Sequence, residues 1–319
     1  MICLKKHLKK QTHNLVTNNK EELKGTCLWV LFLVYLMYRS GEGDLIFYEE
    51  NFEMQSDIKL VATDIDGTFT HADHTYDVER FKRILTRMNA AGCEFVVASG
   101  SQYFTIRDLF ADCADQINFI SENGAMIESH GRIIKVNEMA TDVVDEMILF
   151  AHHRPEFEWV MCGAVNAYCE RGQVDQAFFD QTNFYYRHLK WVDNFNDVDD
   201  QILKFAINVP EKETDHYLEL FRREFAGRIE PTSSGFGAID LIVPGNHKAA
   251  ALKQLVQRWK ITPAQCAAFG DGGNDIEMLR YCKHSYAMAN APAEVKQVAQ
   301  NGCPSNEDDG VLVTLDQLF

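Results

Sequence analysis

The chain has 319 residues, and 47 acidic against 31 basic side chains leave a formal net charge of −16. A hydrophobic content of 46% with 24% charged residues excludes a disordered or collagen-like chain, and at about 100–200 residues per domain the length implies two domains or one core with an insertion. The acidic balance also excludes a non-specific nucleic-acid binder, which needs a basic footprint, while a small anionic substrate held through a metal ion remains open.

Residues 1–56 differ in character from the rest. Lys5, Lys6, Lys9, Lys10, Lys20 and Lys24 precede an apolar run at 27–38, and an acidic stretch follows. That run is 12 residues long, short of the ~20 a spanning helix needs. A signal peptide fits the basic and apolar parts, but the exit Arg39-Ser40-Gly41-Glu42-Gly43 lacks a small-residue cleavage site. The expectation is an extension outside the fold, ending near Met54. A membrane anchor or export signal is the alternative.

From residue 58 the pattern is regular. Residues 58–63 read as a buried strand ending at Asp64, and Asp77 can cap a helix that carries Phe81, Ile84, Leu85 and Met88 and stops at Gly92. Strands at 95–98 and 118–120 end at Ser99-Gly100 and at Glu122-Asn123-Gly124. Strands alternating with helices imply βαβ units and a parallel sheet, whose ligands sit beyond the carboxyl ends of its strands. Residues 137–235 have a mixed texture, with strand-like runs at 158–162, 167–170 and 202–209 and helical stretches at 141–151 and 211–225. The parallel pattern is expected to resume at 239–243, followed by a helix at 247–259, a strand at 266–269, a helix near Asn274 and a strand at 285–288. This divides the chain into a discontinuous core, 57–136 and 236–319, and an inserted lid, 137–235. The aromatic groups Phe178-Phe179 and Phe184-Tyr185-Tyr186 are expected to pack the lid's own core, and Cys162-Gly163-Ala164 to face the site. The nine cysteines include no CxxC pair; reduced thiols in a cytoplasmic protein are the expectation.

The chemistry gathers at the strand ends. Asp64-Ile65-Asp66-Gly67-Thr68 puts two carboxylates after the first strand, and Gly270-Asp271-Gly272-Gly273-Asn274-Asp275 puts two more after a later one. Either motif alone is as readily a turn with a capping Asp. Carboxylates are nevertheless hard oxygen donors suited to Mg²⁺. Ser99 offers a hydroxyl and neighbouring amides to a phosphate oxygen. Lys248 adds a positive charge at a helix start, where the backbone also favours anions.

Taken in order, these motifs, with Asn123-Gly124-Ala125, 288–292 and 306–311, resemble the haloacid dehalogenase superfamily, specifically its Cof-type phosphatases similar to bacterial sugar phosphatases. Thirty-five residues separate Asp64 from Ser99 and 149 separate Ser99 from Lys248, so the lid falls between the second and third motifs. In this superfamily that position implies an α/β, Rossmann-like parallel-sheet core with an inserted α+β cap of the C2 type B kind. Ser99-Gly100-Ser101 stands where many relatives have Thr-Gly-Arg, and Met288-Ala289-Asn290 where Met-Gly-Asn is usual. The resemblance implies Asp64 as nucleophile and Asp66 as general acid and base. It implies Mg²⁺ on Asp64, the Asp66 backbone carbonyl and Asp271, with phosphate held by Ser99, Gly100, Lys248 and Asn274. Asp275 is expected to support Lys248, and Asn123 to meet a substrate hydroxyl. The implied reaction is hydrolysis of hexose or pentose phosphates, with flavin mononucleotide or pyridoxal phosphate as alternative substrates. An alternative of another class is a non-catalytic protein that binds phosphorylated metabolites. The expected partner is a small phosphorylated molecule, with neither nucleic acid nor membrane.

Overall fold

The computed structural model describes residues 57–319 apart from Phe236, so the expectations for residues 1–56 lie outside the described residues. Leu60–Thr63 (β1) is buried at every position, as a strand covered on both faces must be. Asp77 starts Val78–Ala90 (α1) by accepting from the Arg80 amide at 2.9 Å; the four apolar residues expected on one face are buried, and Gly92 follows at φ +65°. Glu94–Ala98 (β2), Tyr103–Leu109 (α2) and Asn118–Ser121 (β3) continue the pattern, with β1, β2 and β3 paired in parallel. Beyond β3 the sheet is extended by an unforeseen antiparallel hairpin, Met126–Ser129 (β4) and Arg132–Val136 (β5), which turns through His130 and Gly131 at φ +51° and +72°.

Next comes a layer with its own sheet. Thr141–His152 (α3), Trp159–Gly163 (β6), Ala167–Glu170 (β7), Gln176–Thr182 (α4), Leu189–Val192 (β8), Ile202–Asn208 (β9), Thr214–Glu224 (α5), Glu230–Gly235 (β10) and Ala238–Ile242 (β11) follow in order. The strands stand in the order β10-β11-β9-β6-β7-β8, antiparallel except for β7 against β8. Trp159, Phe205, Phe221 and Met147 lie at the centre of a separate apolar cluster on this sheet. Two expectations are corrected here. The strand expected at 239–243 does not rejoin the parallel sheet: β11 pairs with β9 and β10, Leu241 lying opposite Phe205. The aromatic groups also divide. Phe178 is buried and Phe179 stacks on Trp191 at 4.4 Å, but Phe184 and Tyr185 stay 53% and 47% exposed.

The remaining elements are Lys248–Trp259 (α6), Cys266–Gly270 (β12), Ile276–Tyr281 (α7), His284–Met288 (β13), Ala293–Val298 (α8), Asn301–Cys303 (β14) and Gly310–Leu318 (α9). Among the described residues the first sheet runs β14-β13-β12-β1-β2-β3-β4-β5, over a core that includes Phe81, Phe95, Phe119 and Phe269. The architecture is an α/β parallel-sheet core with an inserted α+β layer. Because β12, β1 and β2 are adjacent, Asp271, Asp64 and Ser99 leave the sheet side by side. No described helix is long and apolar enough to cross a membrane.

Candidate active site

The loop after β1 and the loop after β12 close on each other. The Asp64 amide still donates to Phe269 O at 3.1 Å, which ties the loop after β1 to the neighbouring strand. Gly67 sits at φ +73°, and a Cβ there would collide with the Asp271 carboxylate, so glycine is required on both conformational and steric grounds. Thr68 Oγ1 donates to Asp271 Oδ1 at 2.7 Å and fixes that carboxylate. Gly270 gives way in the same manner, since a Cβ on it would lie 2.5 Å from the Asp275 Cβ.

Asp64, Asp271 and Asp275 bring carboxylate oxygens within 4.8 Å of one another. Lys248 is fully buried among them, its Nζ 2.7 Å from Asp64 Oδ1 and 2.8 Å from Asp275 Oδ1. His247 caps the helix that begins with Lys248, its ring accepting from the Ala250 amide, and so sets where the lysine enters. Burial first, and the Asp275 charge second, push Asp64 well above the usual carboxylate range, with Lys248 pulling the other way. Burial likewise pushes Asp271 up to about 6, while the Thr68 hydroxyl opposes it. Burial would lower the Lys248 ammonium, but Asp275 and Asp64 more than offset this and hold it charged. Asp275 is occupied by protein donors: Oδ1 takes Lys248, and Oδ2 takes the Asp271 and Gly272 amides at 3.1 and 3.0 Å. This leaves Asp64 and Asp271 as the carboxylates with oxygens to offer.

Around this centre the other sequence-derived residues fall at different distances from the chemistry. Ser99 is buried and accepts from the Ser101 amide at 3.0 Å, forming a small turn beside Gly100. The Asp66 side chain is 51% exposed and meets His74 Nδ1 at 3.1 Å. Asn123 is buried, at φ +53°, and both ends of its amide are in use: Nδ2 donates to Asp240 Oδ2 at 2.6 Å, and Oδ1 accepts from Asn274 Nδ2 at 3.3 Å. Asn123 thus braces Asn274, whose Oδ1 accepts no hydrogen bond among the described residues. Cys162 is wholly buried beneath this region.

The sequence reading missed a buried charge cluster where the two sheets meet. Lys204, on β9, places Nζ 3.0 Å from Asp240 Oδ2, 3.1 Å from Glu122 Oε2 and 2.6 Å from Gly100 O. The Glu122 approach is ionic without being a directed hydrogen bond, and both of its oxygens lack a hydrogen-bond donor among the described residues. Asp240 and Glu122 keep Lys204 charged against a large burial effect, and burial raises Glu122 in turn. The available signal was a lysine inside the apolar run ILKFAIN. Replacing Lys204 with methionine leaves two carboxylates without their counter-ion and should cost about 3–5 kcal/mol. Chemical denaturation checks this, and an unchanged midpoint would remove the cluster from the stability of the fold.

The sequence matches the model of the haloacid dehalogenase-like hydrolases over residues 61–315. It is 38% identical to the 5-amino-6-(5-phospho-D-ribitylamino)uracil phosphatase YbjI of Escherichia coli, across 82% of this chain and 96% of that protein. A second relative, the Bacillus subtilis 5-amino-6-(5-phospho-D-ribitylamino)uracil phosphatase YcsE, is 27% identical over 80% of this chain and 93% of its own length. The solved structure of SMU.1108c from Streptococcus mutans superposes with a TM-score of 0.78 at 37% identity, covering 82% of this chain and 98% of that one.

Proposed function

This chain belongs to the haloacid dehalogenase-like hydrolases and is a Cof-type phosphatase of phosphate monoesters, and from that premise we propose that it is Mg²⁺-dependent and releases phosphate from the sugar or sugar-alcohol part of a small metabolite. The observation that carries the reading is the set of buried Asp64, Lys248 and Asp275 with half-buried Asp271, gathered beyond adjacent strand ends. The donor set fits a hard divalent cation: oxygens only, with two carboxylates whose ionisation is opposed by burial and by neighbouring acids. Asp64, Asp271 and the Asp66 backbone carbonyl would hold it. Bound there, Mg²⁺ supplies positive charge to the phosphoryl oxygens.

The remaining work falls to side chains. Asp64 attacks phosphorus in line, the ester oxygen leaves, and an aspartyl-phosphate forms. Asp66, exposed at the mouth, gives a proton to the leaving alkoxide and then takes one from the water that cleaves the acyl phosphate. Lys248 screens Asp64 from the incoming anion. Ser99, the Gly100 amide and Asn274 hold phosphate oxygens, with Asn123 setting the Asn274 amide and Asp275 setting Lys248. In this reading residues 57–136 and the segment from α6 onward are the catalytic core, and the layer between them selects the leaving group.

The relatives' named substrate, a phosphoribityl group on a uracil ring, favours a phosphate at the end of a polyol chain. The same feature supports a second reading, in which a larger ribityl phosphate such as flavin mononucleotide is the substrate. A panel of hexose, pentose and ribityl phosphates, assayed with Mg²⁺ and after chelation, separates these, and hydrolysis undiminished by chelation would overturn metal dependence. Asp271→Ala should raise the Mg²⁺ concentration for half-maximal rate by at least about tenfold; an unchanged titration would exclude Asp271 as a ligand.

A further inference from the structure

The loop that follows the first motif brings a histidine onto Asp66. His71 N donates to Thr75 O and His74 N to His71 O, each at 2.9 Å, and Asp73 holds the Thr75 amide and hydroxyl at 3.0 and 2.6 Å. This turn places His74 at φ +61°, a left-handed conformation uncommon for a residue with a side chain. His74 Nδ1 thereby lies 3.1 Å from Asp66 Oδ1. The contact fixes the direction of the carboxyl group.

The imidazole is itself held from the inserted layer. Phe184 and Tyr185, on the segment between α4 and β8, meet it edge-on at 5.1 and 6.0 Å. That segment is fastened to α2: Thr105 Oγ1 donates to Tyr185 O at 2.8 Å and accepts from Arg187 N at 3.1 Å, while His188 stacks on Phe104 at 3.9 Å. Two large rings that remain about half exposed add little to a core, so their place against His74 calls for another account.

We infer that His74 is a positioning residue for Asp66, and that Phe184 and Tyr185 hold its ring, so that seating of the inserted layer aims the general acid. This rests on the reading of Asp66 as acid and base. The chemistry is a proton transfer: as the P–O bond to the leaving group breaks, its oxygen takes the Asp66 proton and Asp66 is left as carboxylate. An alkoxide needs that proton, whereas p-nitrophenolate is stable without it. A misaimed Asp66 therefore slows alkyl phosphates selectively.

The test is single-turnover release of the leaving group, with protein in excess, from a hexose phosphate and from p-nitrophenyl phosphate. His74→Leu should slow release from the sugar ester roughly 10–100-fold, part of the span expected of general acid catalysis, and from p-nitrophenyl phosphate less than threefold. His74→Asn tolerates the left-handed backbone and can turn its amide to donate or accept near the former Nδ1 position, so it should restore most of the sugar rate. Phe184→Ala with Tyr185→Ala should reproduce the split in weaker form. Equal losses on both esters, no loss, or an Asn variant no better than Leu would overturn the inference. Asp66→Asn is run alongside: if it shows no split, the acid role of Asp66 fails; if it splits and His74→Leu does not, only the role of His74 fails.

Discussion

Asp64→Asn should abolish turnover, lowering kcat by a factor on the order of 10⁴–10⁶, as expected when a nucleophile is removed from a site that otherwise stays intact. The amide keeps the shape of the carboxylate but cannot form the acyl phosphate. A beryllium fluoride adduct on the unaltered protein should bond to Asp64 and to no other carboxylate. The same substitution should not weaken the fold. Asp64 has a raised pKa in the folded chain, because burial and Asp275 oppose its charge, so its contribution to stability is full only below the unfolded value near 4 and is lost as pH rises through the folded value. In the metal-free protein Asp64→Asn should therefore unfold at the same or higher temperature than the parent at neutral pH. That advantage should shrink as pH falls toward about 4. Calorimetry in chelator across this range reads the sign. A variant that keeps a tenth of the parental rate would remove Asp64 from the nucleophile role, and one that melts earlier at neutral pH would contradict the electrostatics of the site.

Lys248→Met should be among the most damaging single changes in the molecule. The ammonium is fully buried and contacts Asp64 and Asp275 at 2.7 and 2.8 Å. Removing it leaves a cluster of carboxylates with no internal cation, which should cost about 3–5 kcal/mol. For a fold of this size that is a fall of about 10 °C in melting temperature. Activity should fall steeply too, since Asp64 would lose the cation that screens it from the incoming phosphate. Combining Lys248→Met with Asp64→Asn removes one of the charges the lysine balanced, and should recover roughly 1–3 kcal/mol of the loss through coupling. Independent, additive effects of the two substitutions would show that the pair does not interact.

Much of this site was legible in the sequence, because the signals were local. A parallel strand buried on both faces reads as a continuous apolar run, and a carboxylate or glycine where it stops marks the loop that carries function. Asp64, Ser99 and Asp271 were found in that way, and the register of β12, β1 and β2 brings them together. What failed depends on partners distant in the chain. Residues 238–242 suit either sheet by composition, and only their pairing with β9 decides the matter. Asp240, alone and charged among Ile239, Leu241 and Ile242, was the hint of an antiparallel strand with one polar side. The turn at His130 and Gly131 was a short hairpin signal left unread. Phe184 and Tyr185 looked like core residues because hydrophobicity does not say which surface a ring will lie against.

The Lys204 cluster has a consequence for engineering. Its cation comes from the inserted layer, one of its anions from the loop after β3, and its shortest contact is with the main-chain oxygen of Gly100. A backbone oxygen cannot be altered by substitution, so the docking geometry of the two layers is set partly by a feature that mutation of Gly100 would not remove. Chimeras that graft a foreign cap onto this core to change what it dephosphorylates would have to import a lysine and an aspartate at the 204 and 240 positions as a unit. A graft lacking the lysine would strand Glu122 in a dry seam and leave the Gly100 oxygen without its donor, and one lacking the aspartate would take from Asn123 Nδ2 its acceptor, before any new specificity could be measured.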